Sequence, residues 1–120
     1  MKGTRVHLPA ERESITHRFR LGDSKTGIKV YLVVGLLPDG QPGEIFLNVG
    51  GRNGSMERGL LRVLAITASM ALQHGVPLRK IMEKWRHEAF EPAGRTDNSR
   101  IPLAVSLTDY VARWLGEKFL

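Results

Sequence analysis

The hydrophobic pattern of the chain changes its period near the middle, and this change restricts the possible folds severely. From Ser14 to Leu21 apolar and polar side chains alternate with a period of two, which predicts a half-buried β-strand. Residues 28–37 are apolar and β-branched on both faces, as in a central strand, and Glu44 to Val49 alternates again. Turn-forming residues fill the segments 22–27 and 38–43 between them. The first half therefore predicts a three-stranded antiparallel meander.

The second half has helical periodicity. The glycine-rich segment 50–55 comes first, and in it Asn53 or Ser55 is positioned to cap a helix. The helix that follows is apolar almost all round and ends near His74 and Gly75. Because a helix without a polar face belongs in a core, we expect it to be the central buried helix.

Two further helices and a loop complete the second half. A short helix follows Pro77, and residues 88–100 have no clear period and predict a loop with at most a short strand. A last helix follows Pro102 and is marked by apolar residues at helical spacing, namely Leu103, Leu107, Val111, Trp114 and Leu115. The predicted class is α+β, a three-stranded antiparallel sheet packed against about three helices in a single domain of residues 1–120.

Composition excludes several kinds of chemistry. The chain has no cysteine, which removes disulfides, thiol nucleophiles and cysteine-ligated metals, and its four histidines lack metal-ligand spacing. Neither a nucleophile elbow nor a paired-carboxylate motif is present, so we expect no enzyme activity, metal or cofactor. The longest apolar run, Val30 to Leu37, is too short to span a bilayer, and the N-terminus lacks a signal-peptide core. These features predict a cytoplasmic protein.

The charge balance favours an anionic partner. Lys and Arg number 18 against 12 Asp and Glu, which gives a net charge of +6. Phosphate-bearing small molecules and nucleic acids both fit this charge, but a basic helix, RNA-recognition aromatics and zinc-finger spacing are not found. The alternative is that the charge only keeps a small protein soluble.

Two segments carry the polar groups from which an anion site could be built. The segment 50–55 contains Arg52 and Asn53 beside a predicted helix N-terminus, where backbone amides and a guanidinium can meet a phosphate. The loop 91–100 contains two guanidiniums with hydroxyl, carboxylate and amide groups, suited to phosphate and ribose hydroxyls. The alternatives are a strand-to-helix turn that needs glycine and a solvated loop whose side chains cap local turns.

The last helix adds charged groups one turn apart. Asp109 and Arg113 are four residues apart, so Arg113 either forms a surface pair with Asp109 or reaches a ligand. Phe90 either stacks on a base or packs in the core. The candidate ligand-binding set therefore consists of Arg52, Asn53, Phe90, Arg95, Thr96, Asp97, Asn98, Asp109 and Arg113.

Several segments of the sequence resemble segments of one known family. They are the segments 8–17, 39–46, 54–55, 71–78, 90–96 and 106–115. Together they resemble the TSCPD domain, a module near the C-terminus of cobalamin-dependent ribonucleotide reductases. The resemblance implies an appendage to a large catalytic barrel, followed by a cysteine-bearing tail. Radical chemistry needs a cysteine thiyl and a reducing pair, so this cysteine-free chain is expected not to be a reductase by itself. Because it starts at Met1 and stops just after the last predicted helix, we expect a self-standing protein.

The resemblance leads to two main hypotheses. Small stand-alone proteins of this kind are encoded by phages, and the chain is similar in size and layout to the Thoeris anti-defence sponges. This similarity implies a homo-oligomer, in the host cytoplasm, that sequesters a cyclic nucleotide or cyclic ADP-ribose-type immune signal, with sites that span a subunit interface. The alternative is a detached accessory module that docks on a separate reductase subunit. A nucleotide hydrolase and a nucleic-acid-binding protein are the remaining alternatives.

Overall fold

A computed structural model describes residues 5–23, 25, 27–50 and 54–120. These residues form an α+β fold, with a three-stranded antiparallel sheet and three helices. The elements in chain order are β1 (Ser14–Leu21), β2 (Ile28–Leu36), β3 (Pro42–Val49), α1 (Ser55–Gln73), α2 (Leu78–Trp85), β4 (Gly94–Arg95), β5 (Leu103–Ala104) and α3 (Leu107–Phe119). The predicted class and the predicted meander are confirmed.

The sheet has the order β1-β2-β3, and its alternation separates an inner from an outer face. Inward-facing side chains are buried in one core with α3, and they include Phe19, Leu21, Val30, Leu32, Val34 and Ile45. The ring of Phe19 lies 3.8 Å from that of Tyr110 on α3, centroid to centroid. The first strand and the last helix therefore share the centre of the core.

Helix α1 lies along the outer edge of β3 rather than over the centre of the sheet. The Ser69 hydroxyl accepts the amide of Ile45 at 2.8 Å and also lies 3.2 Å from the Ile45 carbonyl oxygen. The side-chain amide of Gln73 donates to the Gly43 carbonyl at 2.9 Å. Backbone groups of an edge strand thus find partners on a helix, which protects that stretch of edge from pairing with another chain.

The end of α1 is fixed by a glycine in the left-handed region. Gly75 has φ +93°, a conformation that costs other residues energy because of their Cβ atom. Its amide donates to Leu72 and the amide of Val76 donates to Ala71, so two carbonyls of the last turn are satisfied. The predicted end at Gly75 is confirmed.

Three details of the predicted helices are wrong. The outer face of α1 is exposed, so α1 is not the central buried helix. Ser55 is its first helical residue and Gly54 the N-cap, without a side-chain cap bond, while Asn53 lies outside the described residues. Leu103 belongs to β5 and is 58% exposed, since α3 begins only at Leu107.

The described ranges contain neither a membrane-spanning helix nor a cluster of metal ligands. No helix there is long and apolar enough to cross a membrane. The same residues contain no group of three or more His, Asp or Glu placed to hold a metal ion.

Candidate functional site

The predicted ligand loop runs along the free edge of β1. Thr96 bridges Leu21 in antiparallel register, and the amide of Gly22 donates to the Arg95 carbonyl at 2.8 Å. The Asp97 carboxylate accepts the backbone amide of Arg20 at 2.9 Å. The Asp97 carboxylate therefore ties the loop to the edge of the sheet, and its role toward a ligand stays a prediction.

Thr96 and Asn98 fold this loop back on itself. The amide of Asn98 donates to the Thr96 hydroxyl at 3.0 Å, and that hydroxyl donates to the Ile101 carbonyl. The Asn98 side-chain oxygen accepts the amide of Arg100 at 3.0 Å, while its nitrogen donates to the Tyr110 hydroxyl at 2.9 Å. Both side chains are thus engaged within the fold.

Tyr110 joins the loop to His17. The Tyr110 hydroxyl lies 2.8 Å from His17 Nε2, and the His17 ring stacks on Trp114 at 4.8 Å between centroids. Burial lowers the pKa of His17; Asp97 opposes this shift and Lys118 adds to it. The Nε2 atom of a neutral His17 accepts a hydrogen bond from the Tyr110 hydroxyl. The phenolic oxygen of Tyr110 can then accept the hydrogen bond that Asn98 donates.

Asp109 is buried beneath the segment that leads into α3. Its carboxylate accepts the backbone amides of His87 at 2.9 Å and Val105 at 3.1 Å, and Arg113 lies 3.4 Å away. Burial opposes ionisation, but these two amides and Arg113 outweigh it and hold the pKa of Asp109 below its usual value. His87 has φ +67°, so the bond from its amide helps to hold a left-handed residue.

Arg113 pairs with Asp109, but the pair is not a surface one, because Asp109 is only 2% exposed. The Arg113 guanidinium also donates to the Leu103 carbonyl at 2.6 Å. Arg113 lines a cavity of about 440 Å³ between α2 and α3, together with Arg86 and Glu117. This cavity is where an anion could meet two guanidiniums.

The predicted set does not converge on one point. Thr96, Asp97 and Asn98 lie together at the β1 edge, whereas Asp109 and Arg113 form a separate cluster with the residues before α3. Arg95 and Phe90 are exposed, and Phe90 donates its amide to Val105. Arg52 and Asn53 lie outside the described residues, so a ligand role for the set stays a prediction.

Two exposed surfaces are not among the features predicted from the sequence. The outer face of the sheet presents Tyr31 and Phe46, which are 40% and 51% exposed, beside basic residues of β1 and β2. Alternation in Glu44 to Val49 could have identified Phe46, which is opposite in phase to the core residues of that strand. Residues 28–37 are apolar on both faces, so the same signal was missing for Tyr31. The second surface is the outer face of α1, whose large apolar side chains are 44–74% exposed, namely Met56, Leu60, Val63, Ile66 and Met70.

Comparison with known proteins places this fold in a family. The model of the TSCPD domain matches residues 3–119. A vitamin B12-dependent ribonucleotide reductase of Rhodopirellula baltica is 44% identical over 119 residues, which are 99% of this chain and 11% of that protein. Reductases of the same name from Streptomyces avermitilis and Agrobacterium fabrum are 37% and 38% identical, and the matches cover 97% of this chain.

The matched segment is a small part of each relative. The chain spans about a tenth of the length of these curated reductases, between 9% and 12%. No solved structure matches. Because the family model covers nearly the whole sequence, the chain belongs to the TSCPD domain family.

Proposed function

We propose that the chain is a non-catalytic accessory module of a B12-dependent ribonucleotide reductase and docks on the reductase polypeptide through the outer face of α1. Its family and its relatives support the reductase as the partner. The observation that carries the proposal is the uncharged, apolar and exposed outer face of a long helix.

That outer face is unusual for a helix in contact with water. Its exposed apolar residues recur at spacings of three and four, and only Gly59 and Thr67 lie among them. The charged residues of α1 lie on its other sides; they are Glu57, Arg58 and Arg62. The five apolar side chains together expose on the order of 500 Å², the size of the largest apolar patch on a typical monomer, which is often functional. A partner that covers this face would remove a substantial apolar area from water.

The reductase is the occupant that the relatives favour. In each of them the matched segment belongs to a polypeptide roughly ten times its length, as its 9–12% share implies. A face covered by that polypeptide would be open in the isolated module. An interface that pairs 500 Å² of each partner buries about 1,000 Å², the lower end for a specific contact, so we expect micromolar binding.

The test is binding between the purified chain and the purified B12-dependent reductase of the same organism, measured by isothermal titration calorimetry. Leu60→Glu places a charge in the centre of the outer face and should weaken binding at least tenfold. Leu103→Glu is the matched control, since Leu103 is 58% exposed and Leu60 is 59% exposed. Leu103→Glu should bind as the wild type does.

Two results of these binding measurements would contradict the docking proposal. One is the absence of heat and of co-sedimentation at concentrations well above the micromolar range. The other is equal weakening by both glutamate variants, which would mean that net charge rather than the α1 face governs binding. A dimer of the chain alone that Leu60→Glu dissociates would assign the face to a second copy, as the predicted homo-oligomer requires, and would also overturn docking.

Sequestration of a cyclic nucleotide or cyclic ADP-ribose-type signal is the second candidate function. It is supported by the net charge of +6 and by the cavity between α2 and α3, where Arg86 and Arg113 lie together. Native mass spectrometry with a pool of cyclic oligonucleotides and ADP-ribose isomers tests it. A retained species that is released unchanged would support sequestration, and Arg86→Ala should weaken its binding roughly tenfold or more, the loss of one charge-assisted contact. Retention of nothing from the pool would exclude it.

A further inference from the structure

We propose that the outer face of the sheet binds single-stranded nucleic acid, stacking bases on Tyr31 and Phe46 and holding phosphates with the surrounding basic side chains. This face belongs to the strands, and it adjoins the outer face of α1 at a groove that Phe46 and Ile66 both line. The proposal therefore goes beyond docking on a reductase and is tested independently of it.

The strand register places the two rings beside each other. Tyr31 on β2 is opposite Asn48 on β3, and Phe46 is opposite Val33, so the rings are diagonal neighbours on one face. Diagonal neighbours lie roughly 7–8 Å apart, close enough for each ring to take one of two successive bases of an extended strand. Both side chains are exposed, although burial would stabilise an aromatic ring far more than contact with water does.

Cations surround the two rings. Arg18 is opposite Tyr31 in the register, and Arg20 is opposite Lys29 one step along the same face. Beyond β3, a groove of about 410 Å³ beside Phe46 is lined by Arg62 of α1. A backbone that crosses the sheet from β1 to α1 would therefore meet positive charge before and after the aromatic pair.

Only one acidic residue occupies an outward-facing position of the three strands, and its charge is compensated. Glu44 accepts the Arg12 Nε at 2.6 Å, at the end of the face far from Lys29. The outer face of the sheet therefore has a net positive charge that a polyanion would complement.

Stacking rings and flanking cations favour a single strand over other anions. A duplex hides the faces of its bases, so it could use the cations but not the two rings. A free nucleotide shares the chemistry of base and phosphate, but it would occupy one ring and one or two cations. Two rings with cations on both sides suit a strand of several nucleotides.

The experiment is fluorescence anisotropy of a labelled short oligo(dT) with the purified chain, titrated at several salt concentrations. Tyr31→Leu and Phe46→Leu should each weaken binding roughly 5- to 100-fold, the range for loss of one stacked base. Phe46→Tyr keeps a ring and should bind like the wild type. Arg18→Ala should reduce the steepness of the plot of log K against log salt by about 0.7, the value for one phosphate contact on a single strand.

Controls separate this site from general attraction to a basic protein. Arg79→Ala removes an equal charge from α2, away from the sheet, and should leave the salt dependence unchanged. Polyphosphate, which has no bases, should compete poorly, and an oligo(dT) duplexed with oligo(dA) should bind more weakly than the single strand.

Three outcomes would overturn the proposal. They are no binding at low salt, wild-type affinity in both leucine variants, and competition by polyphosphate as effective as that of unlabelled oligo(dT). A fourth outcome, binding of dTTP as tight as that of oligo(dT), would show that the ligand is a free nucleotide and not a single strand. Failure to bind the reductase would leave all these expectations unchanged.

Discussion

The Tyr110 hydroxyl lies 2.8 Å from Nε2 of His17, and it thereby links the last helix to the first strand across 93 positions of sequence. Asn98 donates to the same hydroxyl from the loop between the two-residue strands. Three separate parts of the chain are joined at a single buried oxygen, which makes this oxygen a sensitive test of the fold.

Removal of the Tyr110 hydroxyl should destabilise the protein. Tyr110→Phe retains the stacked ring but leaves His17 and Asn98 without a shared partner. We expect a loss of about 1–3 kcal/mol in the free energy of unfolding, the cost of unsatisfied buried polar groups. Urea denaturation followed by circular dichroism measures it. Tyr31→Phe is the control, because the Tyr31 side chain is 40% exposed, and a similar loss there would contradict the prediction.

The lowered pKa of His17 predicts that stability falls on mild acidification. The unfolded chain takes up a proton near the usual pKa of 6.5, while folded His17 takes it up only at lower pH. The stabilisation is therefore complete well above pH 6.5 and decreases as the pH falls through the folded pKa. Urea denaturation between pH 8 and about pH 5 should show this decrease in the wild type. The profile should be flatter in His17→Gln, and identical slopes would refute the assignment.

The buried carboxylate of Asp109 should be essential for stability rather than only for ligand binding. Asp109→Asn removes the charge opposite Arg113 and replaces one acceptor oxygen with an NH₂ donor near the His87 and Val105 amides. We expect a loss of about 3 kcal/mol or more in the free energy of unfolding. Glu83→Gln, an exposed partner of Arg79, should change it by less than about 0.5 kcal/mol. Differential scanning calorimetry of both variants tests the contrast.

Ser69 and Thr67 offer a matched pair on α1. Ser69→Ala leaves the Ile45 amide on the β3 edge without its acceptor, and we expect a loss of about 1–2 kcal/mol. Thr67 also carries a hydroxyl, which donates to Val63 within the same helix, so Thr67→Ala should be close to neutral. Equal unfolding midpoints in urea for the two variants would show that Ser69 does not secure the edge.

Most of the fold could be predicted from local pattern, because strands and helices bury one face with a fixed period. The alternation in Ser14–Leu21 gave β1 with its observed bounds, and the glycine at position 75 marked the end of α1. The sequence analysis placed Leu103 in the last helix, because its spacing of four from Leu107 also fits a helix. Only the pairing of β4 with β5 shows that Leu103 belongs to a strand.

The position of α1 could not be read from its composition. Apolar residues around the whole helix are compatible with burial in the core and with a face left open for a partner, and Val63 on the open face is chemically no different from a core valine. The role of Asp97 was equally inaccessible, because its partner, the Arg20 amide, is 77 positions away. Long-range partners of this kind arise from tertiary packing alone.

The contact of Phe19 on β1 with Tyr110 on α3 also has a temporal consequence. During synthesis, β1 leaves the ribosome some ninety residues before α3, the helix that covers its inner face. The apolar side of the three-stranded sheet is therefore exposed to water until α3 has been synthesised. Closure of so long a loop is entropically costly, and folding should be slower than the short helices alone would suggest. Nascent chains of this domain are therefore expected to depend on chaperones until residues 107–119 emerge.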